Sequence, residues 1–295
     1  MSNARGLVVV RMGRGHHFGA LLAVPAAERT WDLAVSYYDD SVLPDGAIVD
    51  WHHRCRGGKW DGLWRFFSEH PEVLTAYDFY WLVDDDIEAD PATVNALFDY
   101  VRKHGFELAQ PALTTDSYYS HRVTLACPGF RHRHTNLVEI MAPILARDTL
   151  HRILPIIQQT RSGFGLDWLW QRFVTHPRKQ IAIIDALPVR HARPLRQTLR
   201  PAIEAQGTTP EDERARLVVA YGLTRLHGVA IAGVTQTGRT LQGQIRMALA
   251  LAITHWRQRK QIDKRPWGFE QTGLLIYRQL FAPLGFSKND KQGHK

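Results

Sequence analysis

The chain has 295 residues, 44% of them hydrophobic, enough to bury a full core in one large domain with or without an appendage; this excludes an intrinsically disordered chain. Thirty-seven Lys and Arg against twenty-nine Asp and Glu leave a net charge of +8, which favours an anionic partner without choosing among nucleotide, nucleic acid and acidic membrane surface. Only Cys55 and Cys127 are present, too few for a disulfide framework or a cysteine zinc site, and they fit a reduced cytoplasmic protein.

In chain order, residues 1–6 lack an apolar signal core. β-like runs follow at 7–12, 33–38, 79–83, 137–145 and 181–187, with helical or polar stretches between them, a pattern that predicts an α/β fold. Arg56-Gly57-Gly58-Lys59-Trp60 precedes a helical pattern at Leu63, Trp64, Phe66 and Phe67, so it offers either a lysine and helix amides for a diphosphate or a solvated loop. Asp90-Pro91, then Ala92, Val94, Leu97, Phe98 and Val101, predict a capped helix that Gly105 ends. After Pro201 the chain turns mainly helical, with a start at Thr209-Pro210-Glu211-Asp212-Glu213. Leu241, Ile245, Ala248, Ala252 and Trp256 share one face of a helix expected over 240–260. That stripe is expected to pack on its own domain, with contact to a membrane surface as the alternative. The run 247–253 falls far short of the roughly 20 residues of a spanning helix, and the polar tail 287–295 is expected to fray. A catalytic domain is thus expected over 1–200 and a helical extension over 201–295.

The strand-like segment 77–83 ends in Asp84-Asp85-Asp86. Adjacent carboxylates repel, and hard Mg²⁺ or Mn²⁺, which prefers oxygen ligands and keeps positions for phosphates, is the simplest neutraliser. In extended backbone Asp84 and Asp86 point to one side as candidate ligands, and Asp85 points to the other, toward amides, hydroxyls or a ribose. The competing reading has Asp86 capping the next turn and Asp84 paired with an arginine. The strand end favours the ligand reading, because α/β folds place their ligands there.

DFYWLVDDD at 78–86 resembles a domain-of-unknown-function family placed among the GT-A glycosyltransferase-like folds, whose plant members carry a label relating them to lysine-ketoglutarate reductase trans-splicing. The likeness extends through WDLAVSYY at 31–38, Lys59-Trp60, LAQPAL at 108–113, TNLVEIMAP at 135–143, SGFGLDWLW at 162–170 and IIDA at 183–186. It implies an α/β, GT-A-like (nucleotide-diphospho-sugar transferase) three-layer sandwich with a central mixed sheet, followed by the mainly helical C-terminal region. It also implies a metal-dependent glycosyltransferase using Mn²⁺ or Mg²⁺ and a nucleotide-sugar donor, with a glycan, lipid-linked or small-molecule acceptor.

Under that resemblance Arg11 and Gly13 follow the first strand, where a small residue and a cation suit a phosphate, and Tyr37, Tyr38 and Asp39 follow the second, where rings and a carboxylate suit base and ribose. Lys59 and Asp85 complete the near side of this expected donor site. Asp167, between Ser162-Gly163-Phe164-Gly165-Leu166 and Trp168, matches in motif order the late carboxylate that deprotonates the acceptor in inverting GT-A enzymes. His191 matches the late histidine that completes many GT-A metal shells, and Arg190 and Arg193 flank it as candidates for the leaving diphosphate. Tyr118, His121, Glu139 and Trp168 are candidate acceptor contacts. Competing functions are a non-catalytic nucleotide-sugar or glycan binder and a metal-dependent phosphoryl hydrolase. Nucleic-acid binding is not expected, because no reading motif accompanies the charge.

Overall fold

The computed structural model describes residues 6–194, 203–204, 207–262 and 269–286. The first strand, β1 (Gly6–Met12), lies parallel between β2 (Trp31–Tyr37) and β4 (Phe79–Asp84), and β3 (Trp51–Arg54) extends the sheet beyond β2. Beyond β4 come β8 (Ile144–Ala146), β6 (Leu108–Leu113), β9 (Ile181–His191) and β7 (Phe130–Thr135). β6 and β9 run parallel, whereas β8 and β7 pair antiparallel with their neighbours, so the sheet is mixed.

Apolar alternation builds a core on each face. Val8, Val10 and Met12 of β1 face one side with Leu33, Val35, Trp81 and Val83, where α4 (Pro91–His104) supplies Val94, Leu97, Phe98 and Val101. Leu7 and Val9 face the other with Tyr80 and Leu82, against α2 (Lys59–Glu69) through Trp60, Leu63, Phe66 and Phe67, and against α5 (Arg147–Ile157) through Leu150, Ile153 and Ile157. The result is helices, sheet and helices in three layers. The predicted caps of α4 are present: the Asp90 carboxylate accepts from the Thr93 amide at 2.8 Å, and Gly105 takes the left-handed conformation at φ 63°.

The expected strand at 137–145 is replaced by β7 before it and β8 at its end, with an irregular stretch between. Asn136 explains the break, since its side chain accepts from the Val229 amide at 2.7 Å and donates to the His227 carbonyl at 3.0 Å, diverting the chain from a ladder.

The C-terminal region contains α7 (Pro210–Tyr221), α8 (Gln244–Arg257) and α9 (Phe269–Phe281), and also two strands. β10 (Ala230–Thr235) pairs antiparallel with β7, and β11 (Thr240–Gln242) pairs with β10, so the division expected at residue 200 cuts across one continuous sheet. The helix expected over 240–260 therefore starts later, at Gln244. Its packed face is Met247, Ala248, Leu251, Ala252 and His255, while Ile245 points outward. The expected tail at 287–295 lies outside the described residues. Among the described residues no helix is long and apolar enough to cross a membrane.

Candidate functional site

The order β3-β2-β1-β4 makes the junction of β1 and β4 a switch point, where the connections leaving the two strands diverge and open a crevice at their carboxyl ends. Asp84-Asp85-Asp86 closes β4 at that crevice, and Gly13 to His17 follow β1 into it.

Asp84 is the last residue of β4 and Asp85 and Asp86 form the turn after it, so the run departs from the extended backbone expected of it, yet Asp84 and Asp86 still share one side. Asp84 and Asp86 face His191, and the ligand atoms of all three lie within 4.8 Å of one another. The short strand β5 (Ile87–Glu88) brings His191 there by pairing Ile87 with His191 and Glu88 with Arg190. His191 Nδ1 lies 2.8 Å from the Tyr118 carbonyl, which can only accept, so Nδ1 carries the hydrogen and Nε2 is turned toward Asp86 at 3.2 Å. Asp86 Oδ1 is buried and accepts no hydrogen bond. Two hard oxygens, an oriented imidazole nitrogen and a buried oxygen awaiting a partner fit a divalent cation.

Asp85 turns the other way. It accepts from the Gly13 amide at 3.0 Å and the Tyr38 hydroxyl at 3.1 Å and is paired with Arg193, so it ties the loops after β1 and β2 to the acidic run. Arg193 also reaches Asp86 at 3.3 Å. Burial raises the Asp85 pKa against the opposing pull of Arg193 and the Gly13 amide. Burial likewise raises that of Asp84, only partly offset by Lys59. For Asp86 burial acts in the same direction, but the His191 hydrogen bond and charge outweigh it and leave that carboxyl lowered.

The structure redistributes the expected donor residues. Arg11 is committed to structure: its guanidinium donates to Ser36 Oγ at 2.8 Å and to the carbonyls of Cys55 at 2.7 Å and Gly57 at 3.1 Å, fixing the turn before α2. Tyr37 is wholly buried beside His52, because adjacent residues at a strand end face opposite sides and only Tyr38 can reach the crevice. Gly13 is needed for Tyr38, since a Cβ there would lie 2.2 Å from its ring. Asp39 accepts from the Arg14 amide at 2.8 Å and the Ser41 amide at 2.9 Å at the rim. Arg190 stands apart, held by Glu88 at 2.8 Å and Asp116 at 2.7 Å.

The Lys59 ammonium lies 2.7 Å from Asp84 and donates to the carbonyls of Ile140 at 2.7 Å and Met141 at 3.1 Å, so it is held against the acidic run. Burial lowers its pKa, against Asp84.

A second polar group adjoins the first. His121 Nε2 approaches Asp167 to 3.6 Å, and the His121 amide donates to Glu139 at 2.7 Å. Glu139 Oε2 is buried with no hydrogen bond. Burial raises the Glu139 pKa, with the charges of His121 and His191 and the His121 amide opposing. Trp168 packs with Arg214 over its ring at 5.1 Å, so one face is already covered, and Trp170 is core.

Glu213 escaped the sequence reading. Within α7 it looks like an ordinary first-turn acid, yet one of its oxygens accepts from Thr160 Oγ1, the Arg161 and Ser162 amides and Ser162 Oγ at 2.6 to 3.1 Å. This holds the turn leading to Gly163 and Gly165, both at positive φ, and through it the short helical turn carrying Asp167. The only sequence signal was its spacing from Leu217, four residues along the same buried helix face.

Residues 52–137, which include the acidic run, match the family model described as "Protein of unknown function (DUF707)". No curated protein matches the chain. Among solved structures, the chain is similar to S. aureus TarS residues 1–349 in complex with UDP-GlcNAc (11% identity, TM-score 0.48, 73% of this chain and 66% of that one). It is similar also to GalNAc-T7 with UDP, GalNAc and Mn²⁺ (10% identity, TM-score 0.48, 73% and 48%) and to a mycobacterial protein (15%, 0.44, 75% and 76%). The chain thus spans less than two thirds of the TarS fragment and about half of GalNAc-T7.

Proposed function

We propose that the protein is a metal-dependent glycosyltransferase of the GT-A type, moving a sugar from a nucleotide-sugar to a hydroxyl of a glycan, lipid-linked or small-molecule acceptor. The observation that carries this reading is the convergence of Asp84, Asp86 and the oriented Nε2 of His191 at the β1/β4 switch point. Those three residues would hold Mn²⁺ or Mg²⁺, whose charge neutralises the departing diphosphate.

The chain's own residues supply the rest. Asp85 fixes the loops after β1 and β2 that would flank the nucleotide, and Tyr38 and Asp39 stand at that rim. Arg193, beside Asp85 and Asp86, is the cation best placed for the diphosphate. Asp167, with His121 alongside, takes the proton of the acceptor hydroxyl as that oxygen bonds to the anomeric carbon. The bond from that carbon to the diphosphate breaks, and the diphosphate leaves with the electron pair. Glu139, which accepts from the His121 amide and carries a second oxygen without a hydrogen bond, contacts the acceptor.

The test is release of nucleoside diphosphate from UDP-, GDP-, CDP- and dTDP-sugars in the presence of Mn²⁺. One donor is expected to be turned over, and Asp84→Asn with Asp86→Asn is expected to stop it. Turnover unaffected by that double substitution would remove the acidic run from catalysis.

A further inference from the structure

From Arg214 to Ile262 the chain contains no Asp or Glu, yet it carries seven Arg and one Lys. That stretch accounts for the whole net charge of +8, since the remaining residues hold twenty-nine cations and twenty-nine acids. It includes α8, whose inner face is packed through Met247, Leu251 and His255 against the far end of the sheet. Its outer face is apolar. Ile245, Leu249 and Ile253, one turn apart on one stripe, are 67%, 56% and 52% exposed. The neighbouring α9 leaves Tyr277 and Phe281 62% and 69% exposed.

Arg246, Arg257 and Lys260 are exposed beside the α8 stripe. Large aliphatic side chains in a row, bordered by cations, suit a surface that is anionic outside and hydrocarbon within. A second copy docked face to face would set like charges against one another, and a nucleic acid would leave the aliphatic row without a counterpart. We infer that the outer face of α8, with α9 beside it, is a peripheral docking surface for an anionic lipid bilayer. The stripe enters the acyl boundary while Arg246, Arg257 and Lys260 meet lipid phosphates and carboxylates. This inference does not rest on the sugar-transfer reading, because vesicle binding needs no donor, acceptor or metal.

The experiment is cosedimentation of the full chain with phosphatidylcholine vesicles containing or lacking phosphatidylserine. Binding is expected only with the anionic lipid and is weakened by salt. Replacing Arg246 and Arg257 by Gln is expected to lower partitioning about thirtyfold, at about fivefold per charge lost near the surface. Ile245→Ser with Leu249→Ser and Ile253→Ser, all at exposed positions, is expected to abolish binding with the melting temperature unchanged. Equal binding to both vesicle types, no binding to either, or partitioning untouched by both sets would overturn the inference. So would a dimer in sedimentation velocity that the serine substitutions dissociate, or nucleic-acid binding that they leave intact.

Discussion

The ammonium of Lys59 lies 2.7 Å from Asp84, so one of the three candidate metal ligands already has a cationic partner supplied by the protein. The same ammonium is anchored by the carbonyls of Ile140 and Met141, and a divalent ion arriving at Asp84 must share the carboxylate with it. Lys59→Met is therefore expected to lower the melting temperature without metal, by the equivalent of about 3 kcal/mol for a broken, partly buried pair. Saturating Mn²⁺ should then restore more stability in the variant than it adds to the unaltered protein. Equal stabilisation of both by Mn²⁺ would mean that Lys59 and the metal do not compete.

Asp167→Asn is expected to leave donor binding near normal while sugar transfer falls by about a hundredfold or more, as for a base needed only when the acceptor is deprotonated. Glu139→Gln, at an acceptor contact, should raise the acceptor KM more than it lowers kcat. Steady-state kinetics with the identified acceptor separate the two. If Glu139→Gln carries the larger loss in kcat, the base belongs to Glu139.

Glu213→Ala removes an acceptor shared by four donors and leaves the Ser162 amide without its partner in a buried turn. The expected destabilisation in denaturant melts is about 3 kcal/mol. Faster amide exchange over 160–168 should accompany it, because α7 holds that turn from outside the sheet. Global loss of stability with unchanged local exchange would assign Glu213 to the general core instead.

These expectations differ in how far the sequence alone supports them. β1, β4 and α4 are legible because their signals are local: alternating apolar residues, the Asp90 cap and the Gly105 stop. Strand periodicity anticipates the sides taken by Asp84, Asp85 and Asp86 but not their cause, since β4 ends at Asp84 and a turn carries the other two. The contacts of Lys59, Arg11 and Glu213 were not legible. Each depends on a segment that arrives from elsewhere, namely the loop at 140–141, the turn after β3 and the turn at 160–162. β10 was hidden for a related reason: its partner β7 lies about a hundred residues upstream, and the sequence of β7, Phe-Arg-His-Arg-His-Thr, lacks a plain apolar alternation; β11, which pairs only with β10, was hidden with it.

Stability is expected to fall as the pH drops below neutrality. His132 meets His104, His134 and Tyr100 edge to face, and burial, then the neighbouring histidines and Arg131, push it down to about 3. Burial, with Arg133 and Arg122, pushes His255 down to about 3 as well. These rings stay neutral in the fold while their unfolded counterparts take up protons below the ordinary value of 6.5. The unfolded state then binds more protons, so stability declines from about pH 6.5 toward pH 3. Melting curves at stepped pH check this, and His132→Asn should flatten the slope. A melting temperature constant from pH 7.5 to 5 would show that these histidines titrate alike in both states.

The central claim, a cation-dependent nucleotide-sugar site built on Asp84, Asp86 and His191, is tested most directly by calorimetric titration of the full chain with UDP, GDP, CDP and dTDP sugars, with Mn²⁺ and with EDTA. The account predicts that one nucleotide binds with Mn²⁺, that EDTA removes the binding, and that Asp84→Asn with Asp86→Asn does the same while the protein still melts cooperatively. Binding of equal affinity with and without Mn²⁺, or no binding by any of the four, would contradict it.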